Sequence, residues 1–144
     1  MQHRLLKNLN VSLIGVGCMD FSHDCGQVPE RTVSIDAIRE AVDFGCNFFD
    51  TAEVYGREMF YEGHNEEIVG EALKPVVLAT KMHLRTEEVE SGKDFCAIAR
   101  KHLAASMERL QTDYVDRYYL HRVNELVPVE EVAERHAPQE PLVP

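Results

Sequence analysis

FFDTAEVYG, residues 48–56, reads as a buried strand that stops on a carboxylate. Phe48 and Phe49 belong in a core, whereas Asp50 does not, and Tyr55 follows five positions later across a polar turn. Extended to CNFFD (46–50), the run is short enough for a strand closed by a loop, with Cys46 packing as a small apolar residue. The segments around it repeat the alternation. VSLIGVG (11–17) reads as a strand feeding a glycine loop. The stretch 29–45 changes to helical period, with Ile35, Ile38 and Val42 on one face, Thr32 or Ser34 as the cap and Gly45 as the stop. A second helix is capped by His64 or Asn65, with Glu66 and Glu67 complementing its dipole and Ile68, Val69, Ala72 and Leu73 on its apolar face. VVLAT (76–80) is continuously apolar, as a strand buried on both faces must be. A long helix over about 94–110 places Phe95, Ala99, Leu103, Met107 and Leu110 at helical spacing. YVDRYYL (114–120) is a fourth strand, within which Arg117 has no place in the pattern, and VPVEEVAERH begins a further helix. The order β-α-β-α-β-α-β-α calls for an α/β fold with a parallel sheet.

The chain has 144 residues and a formal net charge of -10. That length suits one domain with a real core. The acidic balance argues against nucleic acid or an anionic membrane as partner, since both need a basic footprint. No apolar run spans a membrane and the N-terminus is too polar for a secretory signal, so a cytoplasmic location is expected. The four cysteines, at 18, 25, 46 and 96, form no CxxC pair and read as reduced thiols. Cys18, His23 and Cys25 match no metal-ligand spacing, so no metal is expected.

Three strands end in an ionisable residue: Asp50, Lys81 and His121, about one βα unit apart. In parallel α/β folds the C-terminal strand ends line one face, and sites form there. Each residue alone has a plain reading: Asp50 as a turn cap, Lys81 as a solvated lysine, His121 as a core histidine. Together they point to a site that also takes in Tyr55. A phenol, with a pKa of about 10, gives up its proton more readily beside an ammonium, and a carboxylate keeps that ammonium charged. Asp50, Lys81 and Tyr55 supply that chain, and His121 can polarise a substrate oxygen. Such an acid serves a developing alkoxide, for which a reduced nicotinamide is the natural hydride source. His83 reads as a solvated or supporting residue beside Lys81, Tyr118 and Tyr119 as strand packing, and Arg122 and Asn124 as ordinary loop residues, with contact to substrate or cofactor as the alternative.

The chain resembles the aldo-keto reductases in VSLIGVGCM (11–19), FGCNFFDTAEVYG (44–56), NEEIVGEAL (65–73), VVLATK (76–81) and SMERLQTDYVDRYYLHRVN (106–124). The resemblance implies a TIM-type (β/α)₈ barrel, NADPH as cofactor, aldehydes and ketones as substrates, and catalytic roles for Asp50, Tyr55, Lys81 and His121. It further implies that Gly17, Cys18 and Met19 lie beside the nicotinamide, with Asp50 also at the cofactor. A full barrel takes about 250 residues. This chain supplies four βα units, a half or truncated barrel over residues 1–134, followed by an irregular Pro-rich tail over 135–144. The remaining strands, which carry most of the family's cofactor site, are not among them, and neither GxGxxG nor GxxxxGK occurs. Leu73-Lys74-Pro75 runs almost directly into the next strand, which threatens the register of Lys81. Open edges at the first and fourth strands call for a homodimer that closes the barrel by symmetry. The competing expectation is a non-catalytic remnant or half-barrel assembly module that binds no cofactor. A metal-dependent hydrolase is disfavoured because His121 stands alone at its strand end.

Overall fold

A computed structural model describes residues 1–23, 26–73, 76–92, 94–128 and 130. Its centre is a parallel sheet of four strands in the order β3 (Val16–Gly17), β4 (Phe48–Asp50), β5 (Val77–Met82) and β6 (Arg117–Leu120). The connections carry α1 (Arg31–Asp43), α2 (His64–Ala72), the short α3 (Thr86–Glu90) and α4 (Phe95–Arg109). The alternating order read from the sequence is therefore present. Ahead of it lies an antiparallel hairpin of β1 (His3–Leu6) and β2 (Leu9–Ser12).

The hairpin corrects the expectation of one strand over 11–17. The run breaks after Ser12, and Leu13 and Ile14 are exposed before the chain re-enters the sheet at Val16. Asn47 fixes the break: Ser12 N–H donates to its Oδ1 (2.7 Å), Asn47 N–H donates to Ser12 Oγ (3.1 Å), and Asn47 Nδ2 donates to the Asn10 carbonyl (2.9 Å). Cys46 is buried as expected, but it precedes β4 instead of lying within it.

The helix ends also differ from their expected caps. Thr32 and Ser34 lie inside α1, whose N-cap is Glu30, and Ser34 donates back to the Glu30 carbonyl. His64 and Asn65 lie inside α2, whose N-cap is Gly63 at φ +93, where a Cβ would run into the Arg109 side chain. Asp94 caps α4 by accepting the Ala97 N–H, a contact worth about 1 kcal/mol. The expected helix beginning VPVEEVAERH, the tail over 135–144, Cys25, Lys74 and Pro75 fall wholly or largely outside the described residues.

Side chains alternate across each strand. Phe49 and Leu78 point to the helices and join Ile35, Ile38, Ile68 and Val69 in one core cluster. Full burial of a side chain such as Phe49 contributes about 1.5–3 kcal/mol. A second cluster, with Met82, Leu84, Phe95, Ile98 and Ala99, sits under the start of α4. The opposite parity, Phe48, Asp50, Ala79, Lys81, Arg117 and Tyr119, belongs to the other face. On it, Gly17, Asp50, Ala79 and Arg117 form one cross-strand row. This places Arg117 beside the polar end of the sheet, where a charged side chain avoids the core.

The helices are locked to the sheet by a buried ion pair. Glu66 is fully buried; it accepts the Thr80 hydroxyl (2.6 Å) and the Arg109 guanidinium (2.6 and 2.7 Å). Burial pushes the Glu66 carboxyl above its usual range against the opposing pull of Arg109. Glu66 thus links α2, α4 and β5, which goes beyond its expected service to the α2 dipole. Gly70 lets α2 and the end of α4 close in: a Cβ there would lie 2.6 Å from backbone atoms of Arg109 and Leu110.

Candidate active site

The C-terminal ends of three strands deliver the site. Asp50 is the last residue of β4, Lys81 is next to last in β5, and His121 follows β6 directly. The His121 N–H donates to the Met82 carbonyl (2.8 Å), which continues the β5–β6 ladder to the histidine. Tyr55 comes from the turn after β4. That turn is tied down by Thr51 N–H to the Ala79 carbonyl (2.9 Å) and by Gly63 N–H to the Glu53 carbonyl (2.7 Å).

The four residues converge. Lys81 Nζ donates to Asp50 Oδ1 in a short ion-paired bond, to the Thr51 carbonyl (2.7 Å) and to the Tyr55 hydroxyl (3.3 Å). Its three protons therefore have three acceptors, and the ammonium is fixed in direction. Lys81 pairs in register with Tyr119 of β6. The Tyr55 ring stands edge-on to His121, with centroids 5.4 Å apart and planes at 87°. Burial holds the His121 imidazole below the ordinary histidine range, and the positive charges of Lys81 and Arg122 push it the same way. His121 is thus neutral near pH 7, and its Nδ1 is buried with no hydrogen-bond partner among the described residues. A cavity of about 220 Å³ opens at Tyr55 and His121, walled by Met19, His23, His83 and Arg122 among others. His83, expected to be solvated or supporting, borders the cavity, and so does Arg122, for which the sequence left both a loop role and a ligand contact open. Asn124 instead braces a loop, donating to the Leu84 carbonyl (3.2 Å).

The residues expected at the cofactor divide. Gly17 pairs with Asp50 across the sheet, and a Cβ at Gly17 would meet nothing within 4 Å, so open space lies over this point. Met19 walls the cavity. Cys18 turns the other way: it is fully buried in the core cluster, and burial, reinforced by Asp50, pushes its thiol up to about 12. Its backbone is committed as well, the N–H to the Asp50 carbonyl (2.8 Å) and the carbonyl to Asn65 Nδ2 (2.8 Å). Cys18 thereby shapes the loop without presenting its sulfur to the open face.

Sequence reasoning missed the polar groups that hold these loops together. Asn65, fully buried, donates to Cys18 and Ser22 and accepts the Thr51 hydroxyl (2.6 Å), joining the loops after β3 and β4 to α2. Glu53 and His102 are likewise buried and bonded to each other. One signal was legible: His102 falls on the helical stripe of Phe95, Ala99, Leu103 and Ser106 and so belongs to the buried face of α4. Among the described residues no group of three His, Cys, Asp or Glu is placed to hold a metal ion.

Comparison with known proteins points to one family. The model of the Aldo/keto reductase family matches residues 13–136. Aldo-keto reductase YhdN of Bacillus subtilis is 36% identical over 134 residues, which cover 88% of this chain and 39% of that protein. The uncharacterized oxidoreductase YqkF of Bacillus subtilis is 34% identical over 121 residues, 79% of this chain and 36% of its own length. Among solved structures, aldo-keto reductase AKR11C1 from Bacillus halodurans, in its holo form, superposes with a TM-score of 0.71 at 34% identity, covering 94% of this chain and 45% of that one. The chain thus spans less than half the length of the relatives it matches, and its four parallel strands correspond to part of their (β/α)₈ barrel.

Proposed function

The chain belongs to the aldo/keto reductase family, and from that premise we propose that it serves NADPH-dependent reduction of aldehydes and ketones with Tyr55 as the general acid. The observation that carries this reading is the Lys81 ammonium, held by Asp50 and directed at the Tyr55 hydroxyl at 3.3 Å. A phenol donates a proton best where the charge it leaves behind is met at once, and a fixed ammonium does so without reorganisation. Neutral His121, beside Tyr55 in the cavity wall, supports a carbonyl oxygen by hydrogen bonding and does not compete as a cation. The bound nicotinamide would supply the hydride, which adds to the carbonyl carbon. Tyr55 gives its proton to the oxygen, and the product is an alcohol. The open floor at Gly17 and the wall at Met19 suit the ring end of the cofactor, and Asp50 orients the proton donor from below. A positioned acid of this kind typically contributes about 10²–10⁴ in rate.

The reading extends to assembly. Strands β3 and β6 are the edges of the described sheet, and Tyr119 on the face away from the helices is 43% exposed. A second copy that offers its own four strands would satisfy both edges and form an eight-stranded ring. A second reading rests on the described sheet, which has β3 and β6 at its edges: a half-barrel assembly module that binds no cofactor. Titration with NADPH separates the two: a saturable change in its fluorescence supports the reductase, and its absence at millimolar NADPH supports the module.

A further inference from the structure

Both ring nitrogens of His102 face carboxylate oxygens. Nδ1 lies 2.8 and 3.0 Å from Glu53, and Nε2 lies 2.9 and 3.1 Å from Glu88. A neutral imidazole has a single N–H, so it would set a lone pair against one of the two acceptors. With both carboxylates ionised, only the doubly protonated ring satisfies both at once. The group is not a surface ion pair, for His102 and Glu53 are 6% and 2% exposed at their side chains. Among the described residues Arg85 is a further cation acting on Glu88. Beyond the two glutamates, the ring's neighbourhood includes Arg85 at the start of α3, whose N–H donates to Glu88 and whose guanidinium is taken by Glu62. From β6 it includes the neutral Tyr118 phenol, raised by burial, and beyond it lies the paired Glu66–Arg109. The hydrogen bond to Glu53 holds His102 above the ordinary histidine range; burial opposes this, and the bond to Glu88 adds to it.

Glu53 is two residues before Tyr55, on the same turn. Its side chain also accepts the His83 N–H at the end of β5, and its backbone bonds Lys81 and Gly63. We propose that His102, as an imidazolium clamped between Glu53 and Glu88, is a positioning residue that fixes the 51–55 turn and with it the Tyr55 hydroxyl. Its consequence for catalysis rests on Tyr55 being the proton donor, whereas the clamp does not. Loss of one proton removes one of two charge-assisted bonds and leaves a buried lone pair facing a carboxylate, so the turn loosens as pH rises. Replacing Glu88 by glutamine changes this logic. The amide can donate to Nε2, so a neutral ring serves Glu53 through Nδ1–H and the clamp no longer needs its second proton.

The test is nitrogen-edited NMR of the His102 ring with hydrogen exchange of the Glu53, Tyr55 and Gly63 amides, corrected for intrinsic chemistry, from pH 6 to pH 9; neither readout needs turnover. The expected result is a ring protonated at pH 7. Protection of the three amides should fall about tenfold as it titrates, the size of one charge-assisted bond. In Glu88→Gln the protection should be flat across the same range. His102→Gln should lower it about tenfold at every pH with the strand amides unchanged; if that variant does not fold, the native chain and Glu88→Gln decide alone. A His102 that titrates at or below the ordinary histidine value overturns the clamp. So does protection that ignores its titration, or a Glu88→Gln variant that keeps the pH dependence.

Discussion

His121 and His102 are driven in opposite directions by their surroundings, and the two shifts give stability opposite slopes with pH. His121 is held below the ordinary value, chiefly by burial. The unfolded chain then binds the proton more readily, so this residue costs stability as pH falls below about 6.5. His102 is held above the ordinary value by Glu53 and Glu88. The stability it contributes is fully present below about 6.5 and is lost as pH rises through its folded value. Chemical denaturation between pH 5 and pH 9 should therefore give a maximum near neutrality for the native chain. In His102→Gln the alkaline decline should shrink while the acid limb remains. An alkaline limb unchanged by that substitution would contradict the assignment.

Elements meet where small or paired residues allow it. In Gly70→Ala the added methyl collides with backbone that cannot swing aside, and a loss of about 1–3 kcal/mol is expected in urea denaturation. Glu66→Ala strands the Arg109 guanidinium, and a loss of about 3 kcal/mol is expected, the low end for breaking a buried pair because Arg109 keeps some water contact. A loss under about 0.5 kcal/mol in either would show that α2 and α4 do not seat as described. These contacts explain what the sequence could and could not reveal. The strands at Phe48 and Val77 were legible as short unbroken apolar runs, and the long α4 because its apolar residues keep a period of 3.6. The hairpin of β1 and β2 was not, since its turn puts Lys7 at φ 54 where glycine or asparagine would have been the signal. Asp50, Lys81 and His121 were legible because each ends a strand. Glu53 and His102 lie 49 positions apart, and only the packing of α4 against the turn makes them partners.

At the scale of the whole molecule, the acidic chain concentrates cationic and imidazole side chains at one cavity, where His23, His83, His121 and Arg122 meet. That contrast suits an electron-rich ligand at this end of the sheet. No helix among the described residues is long and apolar enough to cross a membrane. The proposed closure by a second copy, argued from the edges of the described sheet, is tested by light scattering: it should return twice the mass of 16.4 kDa, and a well-behaved folded monomer would contradict it. The central claim is the proton donor, and one measurement reaches it most directly: NADPH oxidation with an aromatic aldehyde, followed for the native chain and for Tyr55→Phe, with NADPH affinity measured in parallel. The account predicts turnover that falls by about 10²–10⁴ in Tyr55→Phe while NADPH binds as before. A native chain that binds NADPH but reduces nothing, or a Tyr55→Phe variant as fast as the native chain, would contradict it.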